Sequence, residues 1–337
     1  MSTIGVLGAG SWGTALAVHF AAAGHRVLLW SRRSDLVDRM LADGENKEYL
    51  PDVKLPAELR STAELADLDR CDPVLVVVPS HGYRQVVRRF LDCRASDTPV
   101  TLVSATKGIE TESLARMSEV SEQEAESAGR SIRFGLLSGP TFAVELARNM
   151  PSAAVVASRD RELGTKLREL LATPTLRLYS SRDVVGVELG GAAKNVIAVG
   201  AGLLHGLGLG YNTQAALITR GLHEITRLGL ACGGEGRTLS GLAGLGDLVL
   251  TCTGGLSRNR RTGIELAQGK TLAQIESGTS MVAEGVKNSL ALSRLARRLG
   301  IEMPITEQMR AVIYDGKSPR QALEELMARE RKSEMEQ

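Results

Sequence analysis

Aromatic residues make up only 3% of the 337-residue chain, and no basic patch is interleaved with them. Single-stranded nucleic acid is held on aromatic platforms in a cationic groove, so that mode of binding is excluded. Charge of one sign is missing too. Lys and Arg number 41 against 39 Asp and Glu, a net charge of +2, which offers no basic face to a nucleic-acid backbone. Cysteine is sparse: Cys71, Cys93, Cys232 and Cys252 form no CxxC pair and no Cys/His cluster. They read as reduced thiols, not disulfides or zinc ligands, and no metal site is expected. Long apolar runs are lacking as well. Ile4 to Val18 is apolar, but Met1-Ser2-Thr3 supplies no basic start for a signal peptide. His19, Arg26 and several glycines interrupt the roughly 20 residues that a membrane span needs. These absences predict a cytoplasmic protein without membrane insertion.

The chain has enough length for about two domains. Its first half alternates short β-branched runs with segments of helical apolar spacing. Strands are expected at 3–7, 26–30, 73–78, 100–105, 133–137, 153–157 and 176–179. Near-continuous apolar strands between helices indicate a mostly parallel sheet covered on both faces. The pattern changes near 180–185. Beyond it, helices are expected at 186–204, 212–228, 260–268, 282–299 and 319–331, with a charged, frayed end from 329 to 337. The predicted class is α/β, with a doubly wound N-terminal domain over 1–182 and an all-helical C-terminal domain over 183–337.

Gly8-Ala9-Gly10-Ser11-Trp12-Gly13 follows the first strand directly, and Thr14-Ala15-Leu16-Ala17 opens a helix. In that context the glycines read as a dinucleotide fingerprint of the Rossmann type. Gly8 makes the tight turn, Gly10 admits a pyrophosphate and Gly13 lets helix and strand pack closely. Free amides at the helix start hold the anion. The second strand ends in Trp30-Ser31-Arg32-Arg33. No carboxylate stands there for the ribose hydroxyls of NAD, whereas guanidinium suits a 2′-phosphate. NADPH is therefore the preferred cofactor, with NADH as the other candidate.

Other loops follow strands of the same sheet and face the same crevice. Val78-Pro79-Ser80-His81 offers a histidine with no carboxylate partner in view, and it receives no catalytic role. Lys107 in Ser104-Ala105-Thr106-Lys107-Gly108 is expected to project into the crevice, and Ser138-Gly139-Pro140-Thr141-Phe142-Ala143 forms a rigid turn offering amides and a hydroxyl. Gly316-Lys317-Ser318 is not a phosphate-binding loop for ATP, because Ala311 stands where a glycine is required.

Lys194 is the single charge between Glu188 and Gly202, among small and apolar residues. On a helix it shares a face with Gly190, Ile197, Ala198 and Ala201, a face that leaves clearance for a substrate or the other domain. Burying a lone ammonium is costly, and lysines whose pKa falls on burial serve as bases. Leu245-Gly246-Asp247-Leu248 sets one carboxylate in an apolar run. Ser257-Arg258-Asn259, after Gly254-Gly255, combines hydroxyl, guanidinium, amide and a helix start in a phosphate cradle.

Taken together, GAGSWGTALA, VPSH, SATKGIE, SGPTFAVE, ELGGAAKNVIAVGAG, GLAGLGDLVLTC, SRNRRTG and VAEG resemble the bacterial-type NAD(P)-dependent glycerol-3-phosphate dehydrogenases. The resemblance implies reversible reduction of dihydroxyacetone phosphate to sn-glycerol 3-phosphate, which feeds phospholipid synthesis, and a homodimer. It makes Lys194 the proton donor, or the acceptor in reverse. It places Lys107, Gly139, Thr141, Lys194, Asp247, Ser257, Arg258 and Asn259 at the substrate. It places Ser11, Trp12, Arg32, Arg33, Tyr49, Lys107, Ala143, Arg258, Val282 and Glu284 at the cofactor, beside the fingerprint glycines Gly8, Gly10 and Gly13. The second-strand region varies in that family, so membership alone leaves the choice of cofactor open. Two other readings fit the residues: a related two-domain NADPH-dependent reductase of another small keto acid, and a non-catalytic NADPH sensor.

Overall fold

Eight strands form one sheet in the N-terminal half of the computed structural model, which describes residues 3–278, 283–330 and 333. The strands are β1 (Thr3–Leu7), β2 (Arg26–Trp30), β3 (Leu59–Thr62), β4 (Val74–Val76), β5 (Val100–Ser104), β6 (Ile132–Ser138), β7 (Ser152–Ala157) and β8 (Leu176–Ser181). Helices α1 (Ser11–Ala22), α2 (Ser34–Asp43), α3 (Ser80–Cys93), α4 (Met117–Ser127), α5 (Ala143–Ala147) and α6 (Arg161–Leu171) connect them. The helical half follows with α7 (Val184–Gly206), α8 (Tyr211–Ala231), α9 (Gly236–Leu239), α10 (Asp247–Thr253), α11 (Arg258–Ala267), α12 (Leu272–Ser277), α13 (Glu284–Leu299), α14 (Pro304–Tyr314) and α15 (Pro319–Met327).

The strand order is β3-β2-β1-β4-β5-β6-β7-β8, parallel throughout except between β6 and β7. Chain direction away from β1 reverses between β1 and β4, which opens a crevice at their carboxyl ends. The loops after β1, β4, β5 and β6 therefore all emerge on one edge. These loops carry the glycine fingerprint, Ser80, Lys107 and Gly139. β4 and β5 are buried along their whole length, which is why they read as continuous apolar runs instead of alternating ones.

β3 escapes the sequence pattern because Leu59-Arg60-Ser61-Thr62 holds one apolar residue. It is an edge strand, held by pairing with β2 from Val27↔Leu59 to Trp30↔Thr62. The expected strand at 73–78 shortens to Val74–Val76.

No strand occurs after Ser181 among the described residues. α7 is the axis of this half, buried on every side and surrounded by α8, α10, α11 and α13. Its composition would suit a membrane span, but 94% of that stretch lies inside the protein, as expected of a core helix that is apolar all round. α11 crosses it at glycines: a Cβ on Gly202 would strike the Arg260 carbonyl, and Gly263 Cα lies 2.9 Å from that position. Only hydrogen side chains permit this approach, and it carries the start of α11 close to Asn195.

α14 lies outside the expected helices. Its first amides, on Ile305 and Thr306, donate to the buried carboxylate of Glu224 on α8, a cap supplied across the fold that local sequence does not announce. The helix expected to start at Val282 begins at Glu284, and Val282 lies outside the described residues. The helix expected to run to 331 ends at Met327. Of the charged run from 329 to 337, only Arg329, Glu330 and Ser333 are described.

One carboxylate ties the helical half to the N-terminal half, and another braces the start of α7. Glu188 of α7 accepts from the amide and hydroxyl of Ser118 and pairs with Arg116 at 3.1 Å. Asp183 caps α7 at Gly186 and also accepts from the Glu235 amide.

Candidate active site

The fingerprint loop has the geometry its glycines require. Gly8 has φ +119°, and a Cβ there would lie 2.5 Å from the Val77 carbonyl. At Gly13 a Cβ would run into the carbonyl of Gly8. At Gly10 it would meet nothing within 4 Å. Two glycines therefore serve the protein's own packing, and Gly10 leaves space in front of the α1 amides. The loop is pinned from outside by residues 46–49. Asn46, fully buried, donates to the Ala9 carbonyl at 2.9 Å and to Thr14 Oγ1 at 2.8 Å. Ser11 Oγ donates to the Tyr49 carbonyl at 2.6 Å. Asn46 was not foreseen: nothing in Gly44-Glu45-Asn46-Lys47-Glu48-Tyr49 distinguishes it from an exposed polar turn.

The two arginines after β2 differ. Arg33 pairs with Asp35 and with Glu48, each at 2.7 Å. Arg32 is exposed and has no ion pair among the described residues. Of these two, Arg32 is the guanidinium left free for a phosphate among the described residues.

The lysines meet at one carboxylate. Asp247, at the start of α10 and fully buried, takes Lys194 Nζ on Oδ1 at 2.5 Å and Lys107 Nζ on Oδ2 at 2.7 Å. Lys194 also donates to Thr251 Oγ1 at 2.8 Å, and that hydroxyl donates to the Asp247 carbonyl at 2.6 Å. Lys107 donates in addition to the Gly139 carbonyl at 2.9 Å. Lys194 is not the unpaired charge that the sequence suggested. Burial brings its ammonium down to about 8, Asp247 opposes that shift, and the Lys107 charge adds to it. Two ammoniums on one carboxylate leave a net positive charge, which adds to the burial that lowers Lys194.

The clearance expected beside Gly190 is taken by the chain itself. A Cβ there would lie 2.8 Å from the Ala243 carbonyl, in the turn of π-helix at Leu242–Gly246 that leads into Asp247. Gly191 is the residue that lies over Ser138 and Lys107. Thr251 was missed in the sequence. Its signal is the four-residue spacing from Asp247, which puts both on one face of α10.

The cradle forms at the start of α11. Ser257 caps the helix, its hydroxyl accepting from the Arg260 amide at 3.2 Å. Arg258 is half-buried and makes no hydrogen bond or ion pair among the described residues. Burial and the neighbouring Arg261 push its pKa down, an environment that an anion would relieve. Asn259 donates to Asn195 Oδ1 at 2.8 Å and accepts from the Gly285 amide at 2.9 Å, which leaves one amide hydrogen for a ligand. Beside the cradle lies a cavity of about 600 Å³, lined by Arg258, Arg261, His81 and Lys287 among others.

Glu284 faces the sheet domain, where it accepts from the amide and hydroxyl of Ser80 at 2.8 and 2.7 Å. Ala143 begins α5, and Thr141 Oγ1 turns back to the Gly139 carbonyl at 3.3 Å. Trp12 sets its ring 6.0 Å from Lys107 Nζ, and its buried Nε1 has no partner among the described residues.

The fingerprint's Trp12 thus lies 6.0 Å from Lys107, the two lysines share Asp247 across the two halves, and Arg258 lines a cavity with His81 of the sheet half. Known proteins with this order of segments match end to end. The N-terminal model of the NAD-dependent glycerol-3-phosphate dehydrogenases matches residues 3–164, and the C-terminal model matches 183–324. A glycerol-3-phosphate dehydrogenase (NAD(P)+) of Koribacter versatilis is 50% identical over 332 residues, covering 98% of each chain. One from Nitratidesulfovibrio vulgaris is 50% identical, covering 98% of this chain and 99% of its own. The crystal structure of the glycerol-3-phosphate dehydrogenase of Coxiella burnetii is 40% identical and superposes with a TM-score of 0.91 over 97% of this chain and 99% of its own. Lys194, Lys107 and the fingerprint stand inside the matched segments, and the chain belongs to the NAD-dependent glycerol-3-phosphate dehydrogenase family.

Proposed function

We propose that this protein interconverts dihydroxyacetone phosphate and sn-glycerol 3-phosphate with NAD(P)H as cofactor, supplying glycerophospholipid synthesis. The observation that carries the reading is the pair of lysines on Asp247, with Lys194 brought to about 8. The dinucleotide fits the crevice: Gly10 leaves space before the α1 amides, and Trp12 Nε1 is a buried donor without a partner among the described residues. When bound, it supplies or accepts the hydride at the substrate's carbonyl carbon.

The chain's own groups do the rest. Reduction places negative charge on the carbonyl oxygen, which Lys107 and Lys194 are placed to stabilise, and Lys194 delivers the proton. Asp247 and Thr251 hold Lys194 in place. Gly139, Thr141, Ser257, Arg258 and Asn259 surround the remainder of the substrate. Binding energy from the phosphate then positions the carbonyl. Ser11, Tyr49, Ala143, Glu284 and Arg32 border the cofactor's path.

We further propose that residues 1–182 fold as the dinucleotide domain and 183–337 as the substrate domain. The assembly is a homodimer in the cytoplasm, as the resemblance implies. Exposed apolar side chains such as Tyr211 and Val249 suit such a contact.

A steady-state assay tests the function. NADPH is expected to be oxidised in the presence of dihydroxyacetone phosphate. The reduction rate falls as pH rises through about 8, where Lys194 loses its proton, and the reverse oxidation gains over the same interval. No oxidation of either nicotinamide cofactor with this substrate would refute the assignment. Cofactor preference has its own test. Arg32→Ala is expected to weaken NADPH about tenfold while leaving NADH within twofold, the difference one charge-assisted phosphate contact makes. Equal loss for both cofactors would remove Arg32 from the 2′-phosphate.

A further inference from the structure

One buried amide joins several walls of the site without belonging to any motif. Asn288 lies in the second turn of α13 and is fully buried. Its Nδ2 donates to the Lys107 carbonyl at 3.1 Å and to the Ala192 carbonyl of α7 at 3.0 Å. The Lys107 carbonyl also accepts from Asn195 Nδ2 at 3.2 Å. Both lone pairs of that carbonyl are therefore held, one from α7 and one from α13.

The other end of the same amide is bare. Asn288 Oδ1 is buried and has no partner among the described residues. A position that served packing alone would avoid an unsatisfied acceptor by carrying leucine. Turning the amide over gains nothing, because it would aim an oxygen at two carbonyls. The two donors are what this position retains.

Their placement has a consequence at the lysines. The Lys107 side chain starts from the pinned peptide and spans to the Gly139 carbonyl and Asp247. Lys194 follows Ala192 by two residues on α7. Building on the acid–base role assigned to Lys194, we infer that Asn288 is a positioning residue for the reaction. It holds the Lys107 peptide against α7 so that both lysines meet Asp247 at a fixed spacing.

The groups that face Lys194 are Asp247, Thr251 and Cys252 from α10 and Lys107 from the loop after β5. The Cys252 thiol is pushed up to about 12 by burial and carries no charge. Burial lowers the Lys194 pKa most, Asp247 raises it, and Lys107 lowers it further. If the Lys107 peptide slackens, the repulsion falls and the Lys194 pKa climbs.

Asn288→Leu removes the donors at nearly constant volume. It is expected to lower kcat about tenfold, the scale of a small misplacement, and to leave NADPH affinity unchanged. The midpoint of the pH–rate profile moves up by about half a unit. Titration of the Lys194 side chain by NMR in 15N-lysine-labelled protein shows the same shift without turnover. Leu292→Ala, one turn further along α13 and fully buried, lowers Tm and leaves both midpoints in place. Asn288→Ser keeps one donor and gives an intermediate shift should the leucine variant fail to fold. Loss of Tm alone in the Asn288 variants, or an equal midpoint shift in Leu292→Ala, overturns the inference. Absence of turnover in the unmutated protein would overturn the functional reading, and the NMR titration would still decide the positioning of Lys194.

Discussion

Lys194→Ala is expected to abolish turnover while leaving NADPH binding within twofold of the unmutated protein. The loss should reach about 10²- to 10⁴-fold in kcat, the range for removing a positioned acid–base group. The asymmetry follows from position. Lys194 projects from α7 onto Asp247 and Thr251, whereas the fingerprint loop is held by Asn46, Ser11 and the turn at Gly8. Asp247 keeps Lys107 as a partner in the variant, so no bare carboxylate is created and the fold survives. Fluorescence titration with NADPH and a steady-state assay on the same sample separate the two effects. Near-normal kcat would rule out the catalytic assignment. Binding without turnover in both proteins would instead favour a dinucleotide sensor.

Arg258→Ala is expected to raise KM for dihydroxyacetone phosphate about 10- to 100-fold, the equivalent of roughly 1.5–3 kcal/mol for hydrogen bonds to a charged group. Arg258 is half-buried beside Arg261, has no anionic partner among the described residues, and its pKa is lowered mainly by burial. Its guanidinium therefore has an unmet demand for negative charge. Arg258→Lys should recover only part of the loss, since an ammonium cannot make the paired, planar contact of a guanidinium. Dihydroxyacetone without its phosphate supplies the check. The variant and the unmutated protein should handle it equally poorly, because the missing contact is the one that Arg258 makes. An unchanged KM for the phosphorylated substrate would move the phosphate elsewhere and reopen the choice of keto substrate.

Much of the architecture was legible because it rests on repeating local rules. Buried parallel strands need continuous apolar runs, and β1, β2, β5 and β7 lie within a residue of their expected ranges. The fingerprint was legible because Gly8 and Gly13 answer steric demands a few residues away. β3 was not, since an edge strand with one apolar residue takes its conformation from the strand beside it. α14 was not, since its cap comes from Glu224, 81 positions earlier. The site shows the same division. Lys194 and Asp247 stood out as charges in apolar or glycine-rich runs, Lys107 by following a strand, and Arg258 by opening a helix after Gly254-Gly255. Asn46, Thr251 and Asn288 did not, because a polar residue that serves a distant backbone looks like any other in sequence.

By itself, the sequence determined the kind of sheet, the change to helices near residue 180, the dinucleotide turn and the candidate lysines. Each follows from short-range sterics or from the energy of placing one charge among apolar neighbours. The tertiary structure alone decided that Asp247 is shared by two ammoniums, that Arg33 pairs with Asp35 and Glu48 while Arg32 has no ion pair among the described residues, and that the space beside Gly190 belongs to the chain itself. Those are pairings between segments up to 140 residues apart. Which partner a charge finds, and therefore its pKa, depends on distances that no local pattern encodes.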